Sequence, residues 1–106
     1  MKFLAVLFVI NILSIHLGAS DELLSCFHCT SYSSMSDCIE NQQKVNCPID
    51  ANRCGVLLMH SQGINRFGKG CVSEEICQEF QAPGYCQDNY GSECELKCCG
   101  HSLCNQ

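Results

Sequence analysis

The 12 cysteines and 4 histidines are the residues of this sequence best suited to chemistry. Cys26-Phe27-His28-Cys29 has the Cys-x-x-Cys spacing of a zinc site, with His28, His60 and His101 as further nitrogen ligands. Cys98-Cys99-Gly100-His101 sets an imidazole beside a cysteine pair, where it could act as a general base or activate a thiolate. The remaining reading is that the cysteines only bridge one another. A thiolate is both the nucleophile and the metal ligand, so a cysteine held in a disulfide is neither. The choice therefore rests on the redox compartment.

The start of the chain answers that question. Lys2 supplies a positive charge, residues 3–17 are apolar except for Asn11, Ser14 and His16, and Gly18-Ala19-Ser20 offers small residues for a cut after Ser20. Charge, apolar core and cleavage chemistry together make residues 1–20 a secretory signal. A membrane-spanning helix needs about 20 apolar residues with polar anchors on both sides, more than this run provides. Residues 21–106 then form one secreted domain, and all 12 cysteines fall within it. That density exceeds the roughly 8–10 % at which a short secreted chain reads as a disulfide scaffold. A chain this small buries too little apolar surface to stand without covalent bracing. The even count leaves no thiol over, and no second Cys-x-x-Cys follows at zinc-ribbon spacing. No metal and no cofactor is expected.

Charge limits the partners. Lys44, Arg53, Arg66, Lys69 and Lys97 stand against 11 acidic residues after the signal. An acidic domain does not suit nucleic acid. The sequence stops two residues after Cys104 without the small-residue site, spacer and apolar tail of a glycolipid anchor, so no anchor signal is expected. It contains no Asn-x-Ser/Thr acceptor. A soluble, secreted monomer is the expectation.

The elements that must position these residues are mostly strands. Leu23 to Cys29 alternates as a first strand, and Thr30 to Asp37 is a Ser-rich loop tip. Cys38 to Asn46 has a weak pattern compatible with a returning strand or irregular structure. Pro48 and Asp50-Ala51-Asn52 mark a turn. Cys54 to His60 is the clearest strand, Ser61-Gln62-Gly63 a tight turn, and Ile64 to Phe67 its return, so a β-hairpin is expected with Val56, Leu57, Leu58 and Met59 as sheet core. Ser73 to Phe80 fits a Ser-capped helical turn or a strand edge equally. Ala82-Pro83-Gly84 and Asn89-Tyr90-Gly91-Ser92 are turns.

Taken together, the opening Leu24-Ser25-Cys26-Phe27-His28-Cys29, the series Cys38, Cys47, Cys54, the pair Gly70-Cys71, Cys77, and the closing Cys98-Cys99-Gly100-His101-Ser102-Leu103-Cys104-Asn105 resemble the lymphocyte-antigen-6/urokinase-receptor family. That family shares its three-finger fold with the snake neurotoxins, and the resemblance spans residues 21–106 almost entirely. It implies a small disulfide-rich all-β, three-finger fold, with antiparallel strands radiating from a disulfide hub. Twelve cysteines can pair in on the order of ten thousand ways, so spacing alone selects none. The resemblance implies Cys26–Cys54, Cys29–Cys38, Cys47–Cys71, Cys77–Cys98 and Cys99–Cys104. Cys86 and Cys94 are extra; they pair with each other, or the third finger is shuffled as Cys77–Cys94 with Cys86–Cys98. Asn105 would hydrogen-bond back into the hub.

The closing segment is also similar to the Cys-Cys-x-x-His-Asp of secreted phospholipase A2. His101 comes one residue too early, Ser102 stands where the aspartate should be, and no glycine-rich calcium loop precedes it. No catalytic residue is assigned, and the chain is read as non-enzymatic.

Rigid loops lose little entropy on association, which suits them to recognition. His60, Gln62, Arg66, Phe67 and Lys69 of the second finger are the expected contacts, an arginine beside an aromatic being the composition of an interface hot spot. The resemblance extends this to a toxin-like ligand or modulator of a cell-surface receptor, a nicotinic acetylcholine receptor in its sharpest form. An inhibitor of a secreted enzyme and an adhesion or gamete-recognition module are the alternatives.

Overall fold

Short strands alternate with shorter helices along the chain. The computed structural model describes residues 23–106, and the expected signal over residues 1–20 lies outside them. The order is β1 (Ser25–Ser31), α1 (Met35–Asn41), β2 (Gln43–Asn46), β3 (Arg53–Ser61), β4 (Ile64–Val72), α2 (Glu74–Gln81), α3 (Tyr85–Tyr90) and β5 (Glu93–Cys99). The strands form one antiparallel sheet in the order β2-β1-β4-β3-β5. The fold is thus a small, disulfide-rich, mostly antiparallel β architecture.

Six disulfides hold it: Cys26–Cys54, Cys29–Cys38, Cys47–Cys71, Cys77–Cys98, Cys86–Cys94 and Cys99–Cys104. No cysteine among the described residues is free. Among the described residues the buried hydrophobic side chains are all half-cystines: Cys26, Cys29, Cys38, Cys47, Cys54 and Cys77. Cys26, Cys47 and Cys54 form the centre, with Leu24, Cys71, Cys99 and Cys104 packed around them. Their sulfurs take the place that Leu, Ile and Phe fill in a larger core. So many disulfides suggest an extracellular or secreted protein. No helix of the described residues is long and apolar enough to cross a membrane.

Two of the three helices start at a serine cap. The Ser-rich stretch expected as a loop tip contains the start of α1: Ser34 Oγ accepts from the Asp37 N–H at 3.0 Å, and Ser31 Oγ donates to the Asp37 carboxylate at 2.7 Å. An acidic group in the first turn also faces the positive end of the helix dipole. Ser73 caps α2 in the same way through the Ile76 N–H at 3.2 Å. Here the helical alternative for residues 73–80 is the one adopted. Pro83 stops α2, because the residue before a proline is driven to extended backbone, and Ala82 has ψ 136°. α3 occupies residues expected to lead into a turn and ends at Gly91, whose φ of 61° needs no Cβ.

The β3–β4 hairpin turns on Gln62 and Gly63, with φ of 50° and 81°, the two positive values of a type I′ turn. Its strand does not make a conventional core. Val56, Leu57 and Met59 are half-buried and Leu58 is exposed. The sheet is one layer thick; α1 and α2 lie on parts of it, and the C-terminal segment packs at the cystine centre.

The C-terminal segment returns to β1. Leu103 N–H donates to the Ser25 carbonyl at 2.8 Å, and Ser102 Oγ accepts from the Ser25 N–H at 3.2 Å. Asn105, 2 % exposed, accepts from the Phe27 N–H and donates to the carbonyls of Phe27 and Gly55. His101 is exposed in the loop that Cys99–Cys104 closes.

Candidate binding surface

Directly opposed residues of antiparallel strands share a face, and neighbours along a strand point oppositely. The register pairs Val56 with Lys69, Leu58 with Phe67 and His60 with Asn65 across β3 and β4, so these lie on one face. α1 covers part of it through Cys29–Cys38 and is followed by Gln42, which bonds Lys69; this is the α1 face. Gly55, Leu57 and Met59 lie on the other face with Gly70, Gly68 and Arg66. Cys77–Cys98 holds α2 against that side, the α2 face.

This parity divides the residues expected to act together. His60 and Phe67 converge on the α1 face in a shallow depression shared with Leu58, Glu93 and Glu95. His60 Nδ1 is in hydrogen-bond contact with Asn65 Oδ1. Gln62 sits in the turn itself, exposed. Arg66 is exposed on the α2 face, opposite its neighbour Phe67. Lys69 is not a free contact. It is 5 % exposed, its Nζ donates to Gln42 Oε1 at 3.1 Å, and it lies 5.8 Å from the centroid of the Phe27 ring. Burial lowers the Lys69 pKa from its ordinary 10.5. Lys69 therefore fastens β4 to the segment after α1, while His60 and Phe67 are placed for a partner on the same side.

The α2 face holds what the sequence did not single out. A groove of about 290 Å3 runs over β4 and β3 between His28 and Thr30 on one side and Ile76 and Phe80 of α2 on the other. Gly55, Gly68 and Gly70 make its floor, and Leu57, Leu96 and Val72 make it apolar. The i, i+4 spacing of Ile76 and Phe80 on a Ser-capped helix is a signal for the wall. Nothing in the sequence shows that His28 reaches the groove, because that depends on the pairing of β1 with β4.

No family model matches the chain, and no curated protein matches it.

At the far end, Phe80, Tyr85 and Tyr90 form an aromatic cluster, with Phe80 and Tyr85 centroids 4.9 Å apart. Partial burial, the neighbouring Tyr90 hydroxyl and the Glu79 carboxylate push the Tyr85 hydroxyl up to about 12. Tyr85 donates to Glu79 Oε2 at 3.2 Å, tying α3 to α2. These tyrosines pack on one another and on Phe80, and Tyr90 also presents an exposed edge.

Proposed function

We propose that this is a secreted, non-enzymatic three-finger protein that recognises an extracellular or cell-surface protein through its β3–β4 hairpin. The observation that carries the reading is the composition of the core. Half-cystines fill it, and two apolar residues of the hairpin, Leu58, 38 % exposed, and Ile64, 62 % exposed, stand at the surface. The strand order supports the three-finger reading: β1–β2, β3–β4 and the α2–β5 segment each leave the cystine centre and come back to it. The type I′ turn holds the hairpin tip in one conformation, which reduces the ordering cost of association.

In its sharpest form the partner is a nicotinic acetylcholine receptor, modulated by an arm that offers Arg66 on one face and His60 and Phe67 on the other. A receptor cleft that encloses the arm meets both faces. The test is the current through a panel of expressed nicotinic receptors with and without the purified, fully oxidised protein. A saturable change, reduced in both Arg66→Ala and Phe67→Ala, is expected. Unchanged currents across the panel overturn this version. If the same preparation then inhibits a secreted phospholipase or protease, the enzyme-inhibitor reading replaces it.

A further inference from the structure

We propose that the groove on the α2 face is a binding site for a single-chain anionic amphiphile, its tail along the glycine floor and its carboxylate at Arg66. The volume, about 290 Å3, lies just below the range of small-molecule pockets, about 300 to 1,000 Å3, which suits a slender single chain. A Cβ on Gly55 would come within 3.1 Å of Leu96 Cδ1 and one on Gly70 within 3.2 Å of His28 Nδ1, so the floor is closely packed there and opens at Gly68. A Cβ on Gly68 would meet nothing closer than the Cys29 carbonyl oxygen at 3.6 Å, so the floor there is open. The α2 wall cannot drift away, because Cys77–Cys98 ties it to β5.

Charge selects the head group. The chain carries 11 acidic residues against 6 lysines and arginines, yet among the described residues no acidic one lines the groove. Arg66 lies at the hairpin end of it, and neither ion pair among the described residues uses Arg66. The Lys69 amine is committed to Gln42 on the opposite face. A guanidinium with no carboxylate partner offers a planar pair of donors to a carboxylate head. A cationic amphiphile meets no counter-charge there. An extended peptide is disfavoured for another reason: β4 pairs with β1 on one side and β3 on the other, so the floor has no open edge to which a strand could add.

The experiment is titration calorimetry of the purified, fully oxidised protein with dodecanoate below its micelle concentration, with dodecyltrimethylammonium as the opposite-charge comparator. Binding of dodecanoate with one site, and none of the cation, is expected. Gly68→Leu, which places a side chain in the open floor, should abolish it. Arg66→Gln should weaken it about tenfold, the loss of one charge-assisted contact, and Arg66→Lys should restore part of that. Amide resonance shifts on adding dodecanoate to the unmodified protein should centre on Gly55, Gly68 and Gly70, a readout independent of how any variant folds. No dodecanoate binding, equal binding of the cation, or shifts confined to the α1 face would each overturn the proposal. No receptor takes part, so the result stands apart from the receptor currents.

Discussion

Asn105 and Phe27 are bonded in both directions: Phe27 N–H donates to Asn105 Oδ1 at 3.0 Å, and Asn105 Nδ2 donates to the Phe27 carbonyl at 2.9 Å. The side-chain amide thus imitates a strand neighbour for β1, and its second N–H reaches the Gly55 carbonyl of β3 at 3.1 Å. One buried residue closes the sheet beside the cystine centre.

Removing that amide leaves the part-buried N–H and carbonyl of Phe27 and the buried Gly55 carbonyl without their partner. Asn105→Ala should cost about 2–4 kcal/mol, read as a lower denaturant midpoint. Asn105→Asp keeps the shape but faces two carbonyls with a charge, so the folded state raises the new carboxyl's pKa. Stability contributed by the protonated form is present at low pH and lost as pH rises through the raised value. The Asp variant should therefore be closer to the parent in acid than at neutral pH; a midpoint gap independent of pH would refute this.

Lys69 binds fewer protons when folded than when unfolded, because burial lowers its pKa from 10.5. From the lowered value up to 10.5, its contribution to stability rises with pH. Lys69→Met, of similar length and apolar, should fold with little loss and should flatten that slope. Lys69→Glu places an opposite charge in the same site and should destabilise strongly. The check is the denaturant midpoint across the alkaline range for all three proteins.

Tyr85 works in the reverse sense. Its pKa is raised from 10.0 to about 12, so its contribution is present below 10.0 and is lost as pH rises through about 12. A tyrosinate absorbance titration should show one of the 3 tyrosines ionising late. Tyr85→Phe should remove that late step.

Cys86–Cys94 closes a loop with a sequence separation of 8, against 28 for Cys26–Cys54. The chain-entropy relation gives about 2.5 and about 3.6 kcal/mol for loops of those lengths. Position matters more than this difference, since Cys26 and Cys54 are central and Cys86 and Cys94 are peripheral. Replacing Cys86 and Cys94 together by serine should leave exchange protection in β1, β3 and β4 intact and raise exchange only around α3. Replacing Cys26 and Cys54 should abolish folding under the same conditions.

The helices show how far local reading reaches. Ser34-x-x-Asp37 and Ser73-x-x-Ile76 are short-range caps; the second was legible as one of two alternatives for residues 73–80, whereas the first lies in a serine-rich stretch that reads as a loop tip. Serine favours loop tips and N-caps through the same side-chain hydrogen bond, so composition could not separate them. The β3–β4 hairpin was readable because its alternation and its Gln62-Gly63 turn are contiguous.

The sequence by itself determined the covalent character of this protein: a cysteine-rich chain with one strong hairpin, an asparagine placed after the last cysteine, and too little apolar mass for an unbraced core. Only the tertiary structure decided which residues meet. Alternation shows that Arg66 and Phe67 point in opposite directions, but not which direction leads to α1 and which to α2. That depends on the register of β4 against β1 and β3 and on the side to which Cys29–Cys38 and Cys77–Cys98 draw each helix. Register and disulfide reach are long-range constraints, carried by no single stretch of the chain. They bury Lys69, join His60 to Phe67, and give Arg66 to a groove floored by glycines.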